Sequence, residues 1–234
     1  MTASPDAAKS NAAYAAAEHV KDGMIVGLGS GTTAAYAILS LGERRKHQNL
    51  QILGIPSSYQ AFQLAIQVGI PITTLEEYPT IDINIDGADQ IDPQLNLIKG
   101  MGAALTREKI VATSARQNIF VADEKKKVQT LGEGNHSVPI EIVPFGIALV
   151  QHSIQKLGGS PILRETKGKL GPVVSDNGNV IIDAIFGEIN DPTVLNHQLK
   201  MIPGVIETGL FIDLADIVYL GTDTAVQKFE TKRK

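Results

Sequence analysis

Asp86, Asp89, Lys99 and Glu108 crowd three acids and a lysine into one short stretch of this chain. Isoleucines at 81, 83 and 85 alternate with polar residues at the period of a strand, which places Asp86 at that strand's carboxyl end. Gly87 and Ala88 give the backbone room to turn, and Asp89 follows at once, so two carboxylates share one strand tip. Lys99 then opens a segment, Gly100-Met101-Gly102, that can bring bare backbone close to a ligand, and Glu108 follows near the start of an expected helix. Carboxylates placed this way can pass protons, and the ammonium group can meet a developing negative charge. Each residue also has a plainer explanation. An Asp after a strand commonly forms a turn, and a Glu in a first helical turn complements the helix dipole. Taken together, the paired acids and the glycine-flanked lysine read better as a site.

A second stretch supplies an anion site. Met24 to Gly29 is a short apolar strand that runs into Ser30-Gly31-Thr32-Thr33 before a helix extending to about Leu41. Exposed backbone N–H groups, the positive end of the helix dipole and three hydroxyls favour a phosphate there. The kind of phosphate compound is narrowed by what is missing. No lysine follows Gly31, which excludes a Walker loop. A dinucleotide fingerprint starting at Gly27 would need glycine where Thr32 stands, and the next strand, Gln51 to Pro56, ends in Ser57-Ser58 rather than in an acid. Methyltransferases that use S-adenosylmethionine are the runner-up for a glycine-rich first turn, but the acid they carry just before the glycines is absent.

These stretches must be positioned by the rest of the chain. A first helix covers residues 6 to 21 with Lys9 in an early turn, a crossover helix runs from Ser57 to Val68, and Gly69 to Thr74 is a short strand. Gln90 to Ile98 is an excursion or hairpin around Pro93, a helix runs to about Arg116, and Asn118 to Asp123 is a strand followed by Glu124-Lys125-Lys126-Lys127. Strands alternating with helices predict an α/β fold, a doubly wound, mainly parallel, Rossmann-like sheet whose ligands lie at the carboxyl ends of its strands. The lysine run is as readily a solvated face, but its place after a strand end makes one of its members a candidate phosphate partner. From about Gly132 the pattern becomes strand (138–143), helix (145–157), strand (161–165), a hairpin (173–183) turning at Asn177-Gly178, helix (192–201) and strand (205–211). That βαββαβ order is a ferredoxin-like α+β domain. Ala215 to Gly221 reads as a return strand, which makes residues 132–213 an insertion into a domain formed by 1–131 and 214–234, with a frayed helix after Val226.

Composition bounds the partners. At 234 residues, with 5% aromatics, no Trp and a net charge of −4, the chain has neither stacking platforms nor a basic surface for nucleic acid. It has no cysteine, and its five histidines show no ligand spacing, so no metal is expected. No apolar run approaches a membrane span and no secretory leader is read, so the expectation is a soluble, cytoplasmic protein with a small-molecule ligand and no membrane partner.

With those residues in place, the chain resembles the type A ribose-5-phosphate isomerases. The resemblance rests on Val26-Gly-Leu-Gly-Ser-Gly-Thr-Thr-Ala34, Ile85-Asp-Gly-Ala-Asp89, the segment from Lys99 to Lys109, and Val121-Ala-Asp-Glu-Lys-Lys-Lys127, and it extends over the whole length. Met101 stands where a third consecutive glycine is common, and Glu124-Lys125 replaces small residues before the functional lysine, which register identifies as Lys126 rather than Lys125 or Lys127. The resemblance implies a cofactor-free interconversion of ribose 5-phosphate and ribulose 5-phosphate by a homodimer or dimer of dimers. It implies Asp86 as the ring-opening acid/base, Glu108 as the proton shuttle and Lys99 as the cation beside the oxyanion. Asp89, with Gly87 and Gly100, would hold the sugar, and Ser30, Gly31, Thr32, Thr33, Lys126 and Lys9 the phosphate. Two other readings stand beside it: a sugar-phosphate sensor that binds without turnover, and a deaminase or lactonase of related architecture, which would need a catalytic His that the sequence does not place.

Overall fold

The computed structural model describes residues 6–231. Along the chain, α1 (Ala7–Ala17), β1 (Ile25–Leu28), α2 (Thr32–Gln48), β2 (Leu53–Pro56), α3 (Tyr59–Gln67) and β3 (Ile83–Gly87) come first. Then follow β4 (Gln90–Ile91), β5 (Leu97–Ile98), α4 (Leu105–Ser114), β6 (Asn118–Asp123), β7 (Val138–Ile142), α5 (Ile147–Lys156), β8 (Ser160–Leu163) and β9 (Glu165–Thr166). The last are β10 (Lys169–Pro172), β11 (Val180–Ile185), α6 (Pro192–Lys200), β12 (Val205–Thr208), β13 (Leu210–Phe211), β14 (Ile217–Gly221) and β15 (Val226–Glu230). They form two compact units. The first takes the described residues up to Ala88, Arg107–Lys126 and those from Leu214 onward; the second takes Asp89–Thr106 and Lys127–Asp213. The second unit begins its later segment at Lys127 rather than at residue 132, and it also takes the 89–106 excursion.

The first unit is built on a six-stranded sheet in the order β15-β14-β6-β3-β1-β2. Every neighbouring pair is parallel except β14 with β15. Alternation along the strands sends Val26, Leu28, Ile83, Ile85, Ile119 and Val121 into one core with the alanines of α1, Ile38 and Leu41 of α2, and Ala61 and Ala65 of α3. The opposite side chains face α4, whose Val111 packs with Ile55 and Ile81. Helices on both faces make the sheet doubly wound. Small residues set the approach distances: a Cβ at Gly221 would lie 1.8 Å from the Ala8 carbonyl oxygen, and one at Gly27 would lie 2.6 Å from Val111 Cγ1.

Two expectations for this unit fail. Gly69–Thr74 forms no strand but a single bridge between Ile72 and Gly54, because Pro71 has no N–H to donate to a ladder. The segment after Val226 is strand β15 rather than helix: each of its five residues pairs with one of β14, and that ladder outweighs the helix propensity of Gln227, Lys228 and Glu230. Residues 232–234 of the expected tail lie outside the described residues.

The second unit holds a four-stranded antiparallel sheet in the order β12-β7-β11-β8, the ferredoxin-like arrangement. Val138, Ile140 and Ile142 alternate toward α5 and α6, packing with Val150, Ile154, Ile182, Ala184 and Leu199. Pro139 and Glu141 therefore face the other way, and so does Asp183, whose Cα partner is Pro139. On that face lies the 99–106 segment: Cβ atoms at Gly100 and Gly209 would lie 3.2 Å and 2.9 Å from Pro139. Gly209 also breaks the expected 205–211 strand, so that β13 leaves the main sheet and pairs with β5 in a small sheet with β4. The expected hairpin turn at Asn177-Gly178 is present, but its first arm is reduced to one bridge, Val174 to Val180, and the paired arms lie earlier, in β9 and β10.

Candidate active site

In the first unit, β1 has a glycine at 27 on its α4-facing side and is followed by another at 29, and two polar groups use the vacated space. At Gly27 it is Asn84, whose amide donates to Asn118 Oδ1 at 3.1 Å while Asn118 donates to the Ala112 carbonyl at 2.9 Å. This buried chain of amides ties β3 and β6 to α4, the helix that carries Glu108. At Gly29 the space is taken by Asp86, which is 1% exposed and whose Oδ1 accepts from the Ser30 and Gly87 N–H groups at 3.0 and 2.7 Å. Glu108 lies in the first turn of α4 and is 5% exposed. Two buried carboxylates on one side of one sheet are a large desolvation cost.

The loop after β1 differs in detail from an open ring of N–H groups. The Ser30 N–H is taken by Asp86, and the Gly31 N–H donates to Gln60 Oε1 at 2.8 Å. The Ser30 hydroxyl lies 2.8 Å from that of Ser57 and 2.6 Å from that of Ser58. What the loop offers an anion is the start of α2, whose N-cap Gly31, at φ +93°, provides no capping side chain. Thr32 and Thr33 open that helix, Thr32 exposed and Thr33 half-buried. Lys126, in a short 3-10 turn after β6, is half-buried while Lys125 and Lys127 are exposed. Lys9 forms an ion pair with Asp6 at 2.8 Å; the hydrogen bond raises the pKa of the lysine and lowers that of the acid, and Asp123 adds to the effect on Lys9.

In the second unit, Lys99 is 2% exposed, with Nζ 5.2 Å from the centre of the Phe211 ring. Its N–H donates to the Gly209 carbonyl at 2.9 Å. Gly100 has φ +105°, where a Cβ would also press on Leu105 at 2.9 Å. Asp89 is half-buried, and its Oδ2 accepts from the Met101 N–H at 3.1 Å.

Several residues here escaped the sequence reading. Glu141, fully buried, accepts from the hydroxyls of Thr106 (2.6 Å) and Ser175 (2.7 Å) and from the amides of Asn177 (3.0 Å) and Asn179 (2.8 Å). Thr106 stands in the first turn of α4, two residues before Glu108. Arg164 pairs with Asp183 and reaches the Gly100 and Met101 carbonyls. A polar residue alternating with Ile140 and Ile142 in β7 was a visible sign for Glu141; Gln60 and Arg164 gave none. Among the described residues no helix is long and apolar enough to cross a membrane.

The chain is similar to known proteins over most of its length. The family model for ribose 5-phosphate isomerase A (phosphoriboisomerase A) matches residues 53–225. A protein named ribose-5-phosphate isomerase A from Methanosarcina acetivorans is 48% identical over 233 residues, covering 100% of this chain and 97% of its own length. One of the same name from Trichormus variabilis is 50% identical over 214 residues, covering 91% of this chain and 90% of its own. The solved ribose 5-phosphate isomerase A from Methanocaldococcus jannaschii superposes with a TM-score of 0.91 at 42% identity, over 95% of this chain and 98% of that one. A solved D-ribose-5-phosphate isomerase in complex with phospho-erythronic acid superposes with a TM-score of 0.92 at 46% identity, over 95% and 97%.

Proposed function

The chain belongs to the ribose 5-phosphate isomerase A family, and from that premise we propose that it interconverts D-ribose 5-phosphate and D-ribulose 5-phosphate, an aldose–ketose isomerisation of the non-oxidative pentose phosphate pathway. The observation that carries the reading is the burial of two carboxylates, Asp86 and Glu108, against the α4 face of the first sheet. Mere binding of an anionic sugar phosphate is opposed by such charges, whereas proton transfer requires them.

Each step assigns a residue. Asp86 takes the proton of the anomeric hydroxyl and supplies one to the ring oxygen, which opens the ring to the aldehyde. Glu108 removes the proton from C2, leaving an enediolate, and returns it to C1, while the hydroxyl proton passes from O2 to O1 to leave a ketone at C2. Lys99 meets the negative charge on the oxygen as it develops, a service that is strongest where water is excluded. Asp89, Gly87 and Gly100 hold sugar hydroxyls. The start of α2 with Ser30, Gly31, Thr32 and Thr33, joined by Lys126 and Lys9, holds the phosphate. The reaction moves protons and leaves the oxidation level of the whole molecule unchanged, so it consumes no redox partner. The enzyme acts in the cytoplasm as a homodimer or dimer of dimers. Exposed Phe145 and Leu149, four residues apart in the second unit, support self-association.

A coupled assay for ribulose 5-phosphate tests the reading, with phospho-erythronic acid as probe. Its carboxylate mimics the planar enediolate group and its phosphate matches that of the substrate, so turnover with competitive inhibition is expected. Tight binding of ribose 5-phosphate without turnover would make the protein a sensor instead.

A further inference from the structure

Gly100 and Gly102 flank Met101 in a segment that has few side chains to hold its shape, and glycine gives up more conformational freedom than any other residue when it is ordered. The start of the segment is fixed by the Lys99 N–H on Gly209. Its middle is held by a turn bond from the Ala103 N–H to the Gly100 carbonyl at 3.0 Å and, from outside the segment, by one arginine. Arg164, just after β8, donates from Nε to Asp183 Oδ2 at 2.7 Å and from Nη2 to Asp183 Oδ1 at 2.5 Å, with the two side chains 11% and 18% exposed. A two-pronged, largely buried pair of this kind holds the guanidinium plane in one orientation. Its remaining arm, Nη1, donates to the carbonyls of Gly100 at 2.9 Å and Met101 at 3.0 Å.

A trans peptide points its carbonyl and its N–H in opposite directions. Holding the Gly100 carbonyl therefore aims the Met101 N–H away from the arginine, and that N–H donates to Asp89 Oδ2 at 3.1 Å. The polar contacts run unbroken from Asp183 through Arg164 and one peptide plane to Asp89, all within the second unit.

We propose that Arg164, held by Asp183, is a positioning residue for the isomerisation: it fixes the Gly100–Met101 backbone and through the Met101 N–H orients Asp89 toward the sugar. The assignment rests on the isomerase reading, in which Asp89 holds sugar hydroxyls. A lysine keeps the charge but cannot grip both Asp183 oxygens and two carbonyls together. Arg164→Lys is expected to raise KM for ribose 5-phosphate by roughly 10-fold or more, with a smaller loss in kcat.

The deciding comparison is a double-mutant cycle with Asp89→Asn, joined to hydrogen exchange of the 99–104 backbone in the free protein. If Arg164 acts through Asp89, Arg164→Lys raises KM much less once Asp89 is already Asn, and it speeds exchange in that segment. An equal rise in KM in both backgrounds, or parent kinetics with only a lower melting temperature, would overturn the assignment and leave Arg164 a structural residue. Should Arg164→Lys fail to fold, Asp183→Asn replaces it in the same cycle, since it loosens the arginine without removing it. A parent enzyme inactive on ribose 5-phosphate would defeat the isomerase reading, while unchanged exchange in the variant would defeat the clamp, so the two failures are told apart.

Discussion

Asp86 fills the space that a side chain at residue 29 would need: a Cβ on Gly29 would lie 2.2 Å from Asp86 Oδ1. The glycine that the sequence shows within an anion loop is thus also what admits a carboxylate to the face of the sheet. Gly29→Ala must push Asp86 out of reach of the Ser30 and Gly87 N–H groups that now hold it. A fall in kcat of about 10²-fold is expected from a displacement of this size. Steady-state kinetics of the folded variant checks it, and parent-level kcat would mean that Asp86 is not needed where it stands.

Glu108→Gln keeps the shape of a buried side chain and removes the base. The expected fall in kcat is roughly 10²–10⁴-fold with ribose 5-phosphate still bound. Exchange of the C2 hydrogen with solvent deuterium should fall in step. A variant that lost turnover yet kept that exchange would shift the role to Asp86.

The two lysines should separate kinetically. Lys99, buried on Phe211, is assigned to charge that exists only after proton removal, so Lys99→Ala should act on kcat. Half-buried Lys126 is assigned to the phosphate, present from the start, and Lys126→Ala should act mainly on KM. The reverse pattern would exchange the assignments.

His19 predicts a pH dependence of stability. Burial lowers its pKa, and its Nε2 lies 2.8 Å from the Tyr219 hydroxyl, joining the chain after α1 to β14. A lowered folded-state value means that the unfolded chain binds the proton more readily. The stability it contributes is therefore fully present above the unfolded value of roughly 6.5 and is lost as pH falls through the lower folded value. Urea midpoints at pH 7.5 and pH 5.0 should differ less in His19→Gln than in the parent, and an equal difference would remove His19 as a cause.

Periodicity reported what periodicity can. The parallel strands of the first sheet, the helices between them and the βαββαβ order all follow from spacing, and so does the carboxyl-end position of Asp86. Pro71 was a local mark against a strand at Gly69–Thr74, but the other failures occur where a distant partner decides the local state. Gln227, Lys228 and Glu230 favour helix by themselves, and only the open edge of β14 makes them strand. Gly209 carries no mark of the close approach to Lys99 that requires it. In the site, acids and lysines announced themselves by type and spacing, while Arg164 and Glu141 act across more than 30 residues of chain, a distance at which no local pattern exists.

The two outer strands of the first sheet bear on how the protein behaves at high concentration. Exposed backbone edges invite strands from other molecules and so seed aggregation. β15 lines its edge with Gln227, Lys228 and Glu230, and the lysine and glutamate pair at 2.9 Å along its length. The opposite strand, β2, has only four residues, ends in Pro56 and is partly covered by the bridge from Ile72. A foreign strand would have to strand charges at one border and would find too few donors at the other. The apolar strands between them, Val-rich and Ile-rich as they are, are shielded from joining a larger sheet.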